Sequence, residues 1–134
     1  MEVLSRQEAL LTNYEVLQVL KEEDERHKKL KSSADHKYPE NVTTLKFEAL
    51  QYLNATPCAA QSAEQIAALK GELTVDWELT KAEALQIINL RPTVPAVLDT
   101  IIEEREERLE VEDLMQLAEV VVAALPRDEG EEDE

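Results

Sequence analysis

Apolar residues recur along this chain at spacings of three and four, in segments separated by capping and turn residues, which is the period of helices with one buried face. The first segment opens at Leu11-Thr12-Asn13-Tyr14-Glu15-Val16. Thr12 can cap a helix and Glu15 can reach back to complete a capping box, with Leu11 and Val16 placed as the hydrophobic staple across it. Tyr14, Leu17, Val19 and Leu20 follow, then a charged stretch to Lys31, which predicts a helix over about 13–31 with its first half buried and its second half solvated. Residues 32–42 hold turn formers and Pro39 and read as a linker. A second helix is expected over about 44–54, with Leu45, Phe47, Leu50 and Leu53 toward the core, ended by Pro57, which disfavours helical geometry at Thr56.

Ser62 and Gln65 form another capping box, after which Ile66, Leu69, Leu73 and Trp77 continue a helix through Gly71, with weaker last turns at Thr74 and Val75 and Trp77 as a core plug. Thr80 and Glu83 open a further helix that must stop near Leu90, because Pro92 follows. Thr93 is expected to cap the next one, with Pro95 in its first turn and a stripe of Leu98, Ile101, Ile102 and Leu109 running to about residue 109. Leu114, Leu117, Ala118, Val121, Val122 and Leu125 mark the last helix, closed by Pro126. The expected fold is all-α: an N-terminal docking arm and linker over 1–43, a helical bundle over 44–126 and a disordered acidic tail over 127–134. The arm's apolar patch either folds back on the bundle or docks on another protein.

Composition narrows the function. Two glycines in 134 residues argue against phosphate loops, dinucleotide folds and hairpin-rich β architecture. The lone Cys58 excludes an internal disulfide, fits a reducing compartment and reads as a small apolar residue at a helix-helix turn. No apolar run approaches a membrane span, and the opening MEVLSRQEALL lacks the pattern of a signal peptide, so a soluble intracellular chain is expected. His27 and His36 are not at a helical ligand spacing, and no metal, cofactor or catalytic set is predicted. The chain is expected not to be an enzyme.

The formal net charge is -16, from 30 acidic and 14 basic residues. From Asp99 onward there are 15 acids and three basic residues, and the acidic run from Glu103 to Asp113 reads as a solvated helix face with Arg105 and Arg108 at ion-pair spacing. The stretch from Lys21 to Lys37 is the exception at net +1. If RNA is touched, Arg26, Lys28, Lys29, Lys31 and Lys37 are the candidates, and the overall acidity makes any such contact weak or indirect.

Three ordered stretches carry a resemblance: Leu11-Thr-Asn-Tyr-Glu-Val-Leu-Gln-Val-Leu20, Thr56-Pro-Cys-Ala-Ala-Gln-Ser62, and Leu79 to Thr93 running on to Ile101–Leu109. Together they resemble the small stalk subunits of eukaryotic RNA polymerase III, also named the calcitonin gene-related peptide receptor component family. More distantly, they are similar to the archaeal counterpart of that RNA polymerase stalk protein. The resemblance implies an N-terminal arm followed by an HRDC-like helical bundle, in a heterodimer with a larger stalk subunit that carries an OB-type barrel. It also implies attachment to the polymerase III core, initiation through contacts with TFIIIB, and a nuclear location. On this reading Leu10, Leu11, Tyr14, Leu17 and Leu20 contact the larger subunit. The alternatives are a stand-alone HRDC-like nucleic-acid module and coupling to a peptide-hormone receptor, for which the sequence supplies no membrane anchor. Glu110 stands where related chains place a capping Thr, which predicts a weaker start to the last helix. Ala59-Ala60 lacks the basic character expected after Thr-Pro-Cys, which disfavours nucleic-acid contact at that turn.

Overall fold

Reciprocal side-chain caps start the helices at three of the expected places. The computed structural model describes residues 2–5, 9–30 and 39–126, and among these there are seven α-helices, one 3-10 turn and no strand. In chain order they are α1 (Asn13–Leu30), α2 (Glu40–Asn54), the 3-10 turn η1 (Pro57–Ala60), α3 (Ala63–Val75), α4 (Lys81–Leu90), α5 (Pro95–Ile101), α6 (Arg105–Arg108) and α7 (Val111–Ala124). At α1 the Glu15 amide donates to Thr12 Oγ1 and the Thr12 amide to Glu15 Oε1, both at 3.2 Å. Ser62 and Gln65 close the same box at α3, and Thr80 and Glu83 at α4. Each box satisfies two backbone donors that the first turn leaves without helical partners. At α7 the cap is Glu110, whose amide donates to Asp113 Oδ2 at 2.9 Å. The expected tail and most of the expected linker lie outside the described residues.

Two apolar cores result. The larger is built by α3, α4, α5 and α7, where Leu69, Leu73, Ile87, Leu98, Leu117 and Val121 are wholly buried. The smaller holds Leu17 of α1, Leu53 of α2 and Cys58 of η1. Tyr14 packs against both, and the Asn13 amide donates to Asn89 Oδ1 at 2.8 Å, fastening the start of α1 to the end of α4. The arm therefore folds back on the bundle.

Several boundaries and faces differ from expectation. Helix α2 starts at Glu40, directly after Pro39, whose fixed φ near −54° suits a helix entrance. Its inward face is Lys46, Leu50 and Leu53, at i, i+4 and i+7, whereas Leu45 and Phe47 are exposed. Lys46 can occupy that face because its stem packs inward while Nζ reaches Asp24 Oδ1 at 3.4 Å. At α5 the cap is Val94 rather than Thr93: a residue before proline is driven to extended geometry, so Pro95 fixes the boundary one residue later. Val122 points outward, and Trp77 lies just beyond α3, half-buried against the larger core.

The largest departure is the region read as one helix to residue 109. It breaks after Ile101, with Ile102 extended and Glu104 in the left-handed region at φ 52°, and restarts only as the single turn α6. Arg105 and Arg108 accordingly do not lie along a continuous ion-paired helix face. Arg105 pairs with Asp99 and Glu106, while Arg108 turns inward.

The cause of the break is the carboxylate of Glu83, which is 5% exposed. Oε2 accepts the Glu103 amide at 2.9 Å and Oε1 the Thr80 amide at 3.0 Å. Arg108 donates to both oxygens, from Nη1 at 2.8 Å and from Nη2 at 3.1 Å. The same guanidinium also donates to the carbonyls of Glu103 at 3.0 Å and Glu78 at 3.4 Å. One side chain thus caps α4, anchors the turn after α5 and holds the arginine that closes that turn. Burial pushes the Glu83 carboxyl up, but the hydrogen bonds from Arg108 and from the Thr80 and Glu103 amides outweigh it and hold the pKa at about 2.

Among the described residues, left-handed backbone occurs at Glu78, Arg91 and Glu104 and at no glycine. Each placement costs roughly 1 kcal/mol for a residue with a Cβ. Two of the three flank the Glu83–Arg108 pair, and Arg91 is held by its own guanidinium, which donates to the Leu125 carbonyl from Nε at 3.3 Å and from Nη2 at 3.1 Å. Gly71 sits instead in the middle of α3, where an added Cβ would meet nothing within 4 Å.

Glu83→Gln should lower stability by about 2–3 kcal/mol at pH 7, measured by urea denaturation. The folded pKa lies below the ordinary value of 4.5, so this stabilisation is complete above pH 4.5 and lost as pH falls through about 2. The gap between wild type and variant should therefore close over that interval. Gly71→Ala should raise stability by about 1 kcal/mol through helix propensity alone, read as an upward shift in Tm.

Candidate docking surface

The five arm residues predicted to meet a partner do not share one environment. Leu10 and Leu11 precede the cap of α1 and are 55% and 44% exposed. Tyr14 and Leu20 are half-buried. Leu17 is 1% exposed and packed in the smaller core with Leu53 and Cys58. Leu17 lies three residues from both Tyr14 and Leu20, at the centre of their stripe, so the neighbouring helix covers it first. The structure brings Tyr14, Leu17 and Leu20 onto the smaller core, while Leu10 stands over α3 and α4 of the larger core and Leu11 is exposed.

Helix α2 adds apolar surface that the sequence reading missed. Val42, Leu45 and Tyr52 are 42%, 63% and 67% exposed, and with Ala49 they fall at i, i+3, i+7 and i+10, a second apolar stripe beside the inward one. Periodicity alone does not tell which of two stripes is covered; the available signal was Lys46, whose long stem can face inward only if its charge finds an acid. Between α1 and α2 a groove of about 370 Å³ is lined by Leu20, Val42, Leu45 and Ala49, with Glu23 and Lys46 at its edges. Phe47, 66% exposed, lies off this stripe.

The basic candidates sit on the outer half of α1. Arg26 is engaged by Glu23, and Lys28 Nζ lies 3.2 Å from Asp24 Oδ2. Asp24 is held below the ordinary carboxylate range, first by the hydrogen bond from Lys28 and then by Lys46. Arg26 and Lys28 thus already have acidic partners, and Lys29 is also in contact with a neighbouring group. Lys31, Lys37 and His36 lie outside the described residues.

Cys58 is 1% exposed; its thiol donates to the Leu53 carbonyl at 3.2 Å and lies 2.9 Å from Thr56 Oγ1. It seals the end of α2 and offers no accessible nucleophile. Among the described residues no group of His, Cys, Asp and Glu could hold a metal ion, and no helix is long and apolar enough to cross a membrane.

Leu17→Asp should destabilise the fold by about 3 kcal/mol or more in urea denaturation, because it places a charge in the smaller core. Leu10→Asp and Leu11→Asp, at exposed positions, should stay within about 0.5 kcal/mol of wild type.

The family described as RNA polymerase Rpb4 matches residues 10–122. The chain is 35% identical over 130 residues to DNA-directed RNA polymerase III subunit rpc9 of Schizosaccharomyces pombe, covering 94% of this chain and 100% of that protein. It is 28% identical over 115 residues to the protein of the same name in Dictyostelium discoideum, covering 81% of this chain and 79% of that one. The match runs from the arm into α7 and takes in the exposed arm and α2 surface, and the chain belongs to the RNA polymerase Rpb4 family.

Proposed function

We propose that this chain is the small member of a stalk heterodimer on RNA polymerase III. It joins a larger subunit that carries an OB-type barrel, and it supports initiation through contacts with TFIIIB. The coarser statement rests on the family and on the names of its relatives: a non-catalytic subunit of RNA polymerase III, at work in the nucleus. The finer reading is supported by two exposed apolar patches, Leu10 and Leu11 on the arm and Val42, Leu45 and Tyr52 on α2. Buried Leu17 and half-buried Tyr14 and Leu20 support these patches from beneath and set the angle of the arm. Their part in the interface is to hold Leu10 and Leu11 in position.

Nucleic-acid contact in this reading is weak or indirect. Arg26, Lys28 and Lys29, with Lys31 and Lys37 beyond them in sequence, are the residues nearest to such a role, and the acidic partners of Arg26 and Lys28 compete with phosphate for them. The larger subunit's barrel would carry most of any RNA contact.

The double variant Leu10→Asp, Leu11→Asp, expressed in place of the wild-type chain, should fold normally by circular dichroism. It should retain less than about a tenth of the copurifying larger subunit, the loss expected when a desolvated apolar anchor is replaced by charge. Undiminished copurification of both this variant and Leu45→Asp would overturn the heterodimer reading. Isolated wild-type chain titrated with single-stranded RNA at physiological salt should bind more weakly than about micromolar.

A further inference from the structure

A second concavity lies between the arm and helices α3 and α4. Its volume is about 370 Å³, within the range that holds one or two side chains of a bound ligand. The floor is apolar: Ile66 of α3 with Ala84, Leu85 and Ile88 of α4, and Leu10 of the arm forms one wall. Lys70 and Lys81 stand on the rim, both exposed and neither in an ion pair among the described residues. The acid in the lining, Glu15, has its Oε1 committed to the Thr12 amide at 3.2 Å and the Thr12 hydroxyl at 3.1 Å.

In a chain of net charge -16, two such lysines against the one carboxylate of Glu15 leave a local positive excess over an apolar floor. We infer that this concavity binds a peptide segment of a second protein in which an apolar side chain is flanked by carboxylates. The apolar side chain enters between Leu10 and Leu85, and the carboxylates meet Lys70 and Lys81. A basic segment is repelled at the rim. A nucleic acid would meet the two lysines but has no apolar side chain for the floor.

The chain's own segments fit less well. Residues 127–134 carry six acids but no large apolar side chain, so they complement the rim and not the floor. Val3 and Leu4, near the start of the chain, are 64% and 93% exposed and so lie outside the concavity. The occupant is therefore assigned to another chain. The inference shares Leu10 with the heterodimer reading and rests on it there; it goes beyond that reading in assigning the α3–α4 floor and the chemistry of what is bound.

The test places the photo-crosslinking residue p-benzoylphenylalanine at position 85 in the full chain, within complexes purified from cells, with position 86 on the exposed side of α4 as the control. The expected result is a crosslink from 85, absent from 86, to one segment of a copurifying protein that reads as apolar residues flanked by Asp or Glu. Lys70→Glu with Lys81→Glu should cut its yield by at least about threefold, as expected when two exposed charge contacts are reversed. Circular dichroism of that double variant should remain that of the wild type. Absence of a crosslink above the control, a crosslink to a basic segment, a crosslink to residues 1–8 or 127–134 of the chain itself, or a yield indifferent to the charge reversal would each overturn the inference. Polymerase subunits that still copurify when position 85 gives no crosslink would leave the heterodimer reading standing, so the two fail separately.

Discussion

The arrangement of the larger core depends on one buried carboxylate. Glu83 takes the free amide at its own helix entrance, the amide of Glu103 twenty residues later and the guanidinium of Arg108, and so converts three loose ends into one fixed corner. A carboxylate this deep is tolerable only because every strong donor around it is satisfied by it; removing any one leaves charge in a place where water cannot compensate. The same corner explains why α5 is short. A helix continued past Ile101 would carry the Glu103 amide away from Glu83, and Arg108 would lose its route to the carboxylate.

The smaller core is of another character. It rests on Leu17, Leu53 and Cys58, with half-buried neighbours and an apolar α2 stripe facing outward. So few buried side chains contribute little on their own, and a partner that covers the α2 stripe would add its binding free energy directly to the stability of α1 and α2.

Much of the fold was legible in the sequence because its punctuation is local. The capping boxes at Thr12, Ser62 and Thr80, and the stops imposed by Pro57, Pro92 and Pro126, act through neighbours within four residues, and those boundaries agree with the structure. The errors lie where the deciding contact is distant. The break after Ile101 answers to Glu83, and the outward turn of Leu45 and Phe47 answers to the pairing of Lys46 with Asp24 across two helices. Periodicity marked α2 as apolar without saying which stripe α1 would cover. The arm's leucines were identified as a group, but the division between exposed Leu10 and Leu11 and buried Leu17 required the partner helix. The rim lysines of the second concavity carried no local signal at all, since Lys70 and Lys81 meet only when α3 and α4 pack.

The separation into two cores, bridged by Tyr14 and by the Asn13–Asn89 hydrogen bond, has a consequence for how the molecule opens. A cooperative unit is as large as its continuous packing, so the hairpin of α1 and α2 can detach while α3, α4 and α7 stay closed. Backbone amides near Leu50 are accordingly expected to exchange with solvent faster than those near Leu117 and Ile87. Separating the two regions therefore requires breaking the packing of Tyr14 and the Asn13–Asn89 hydrogen bond together.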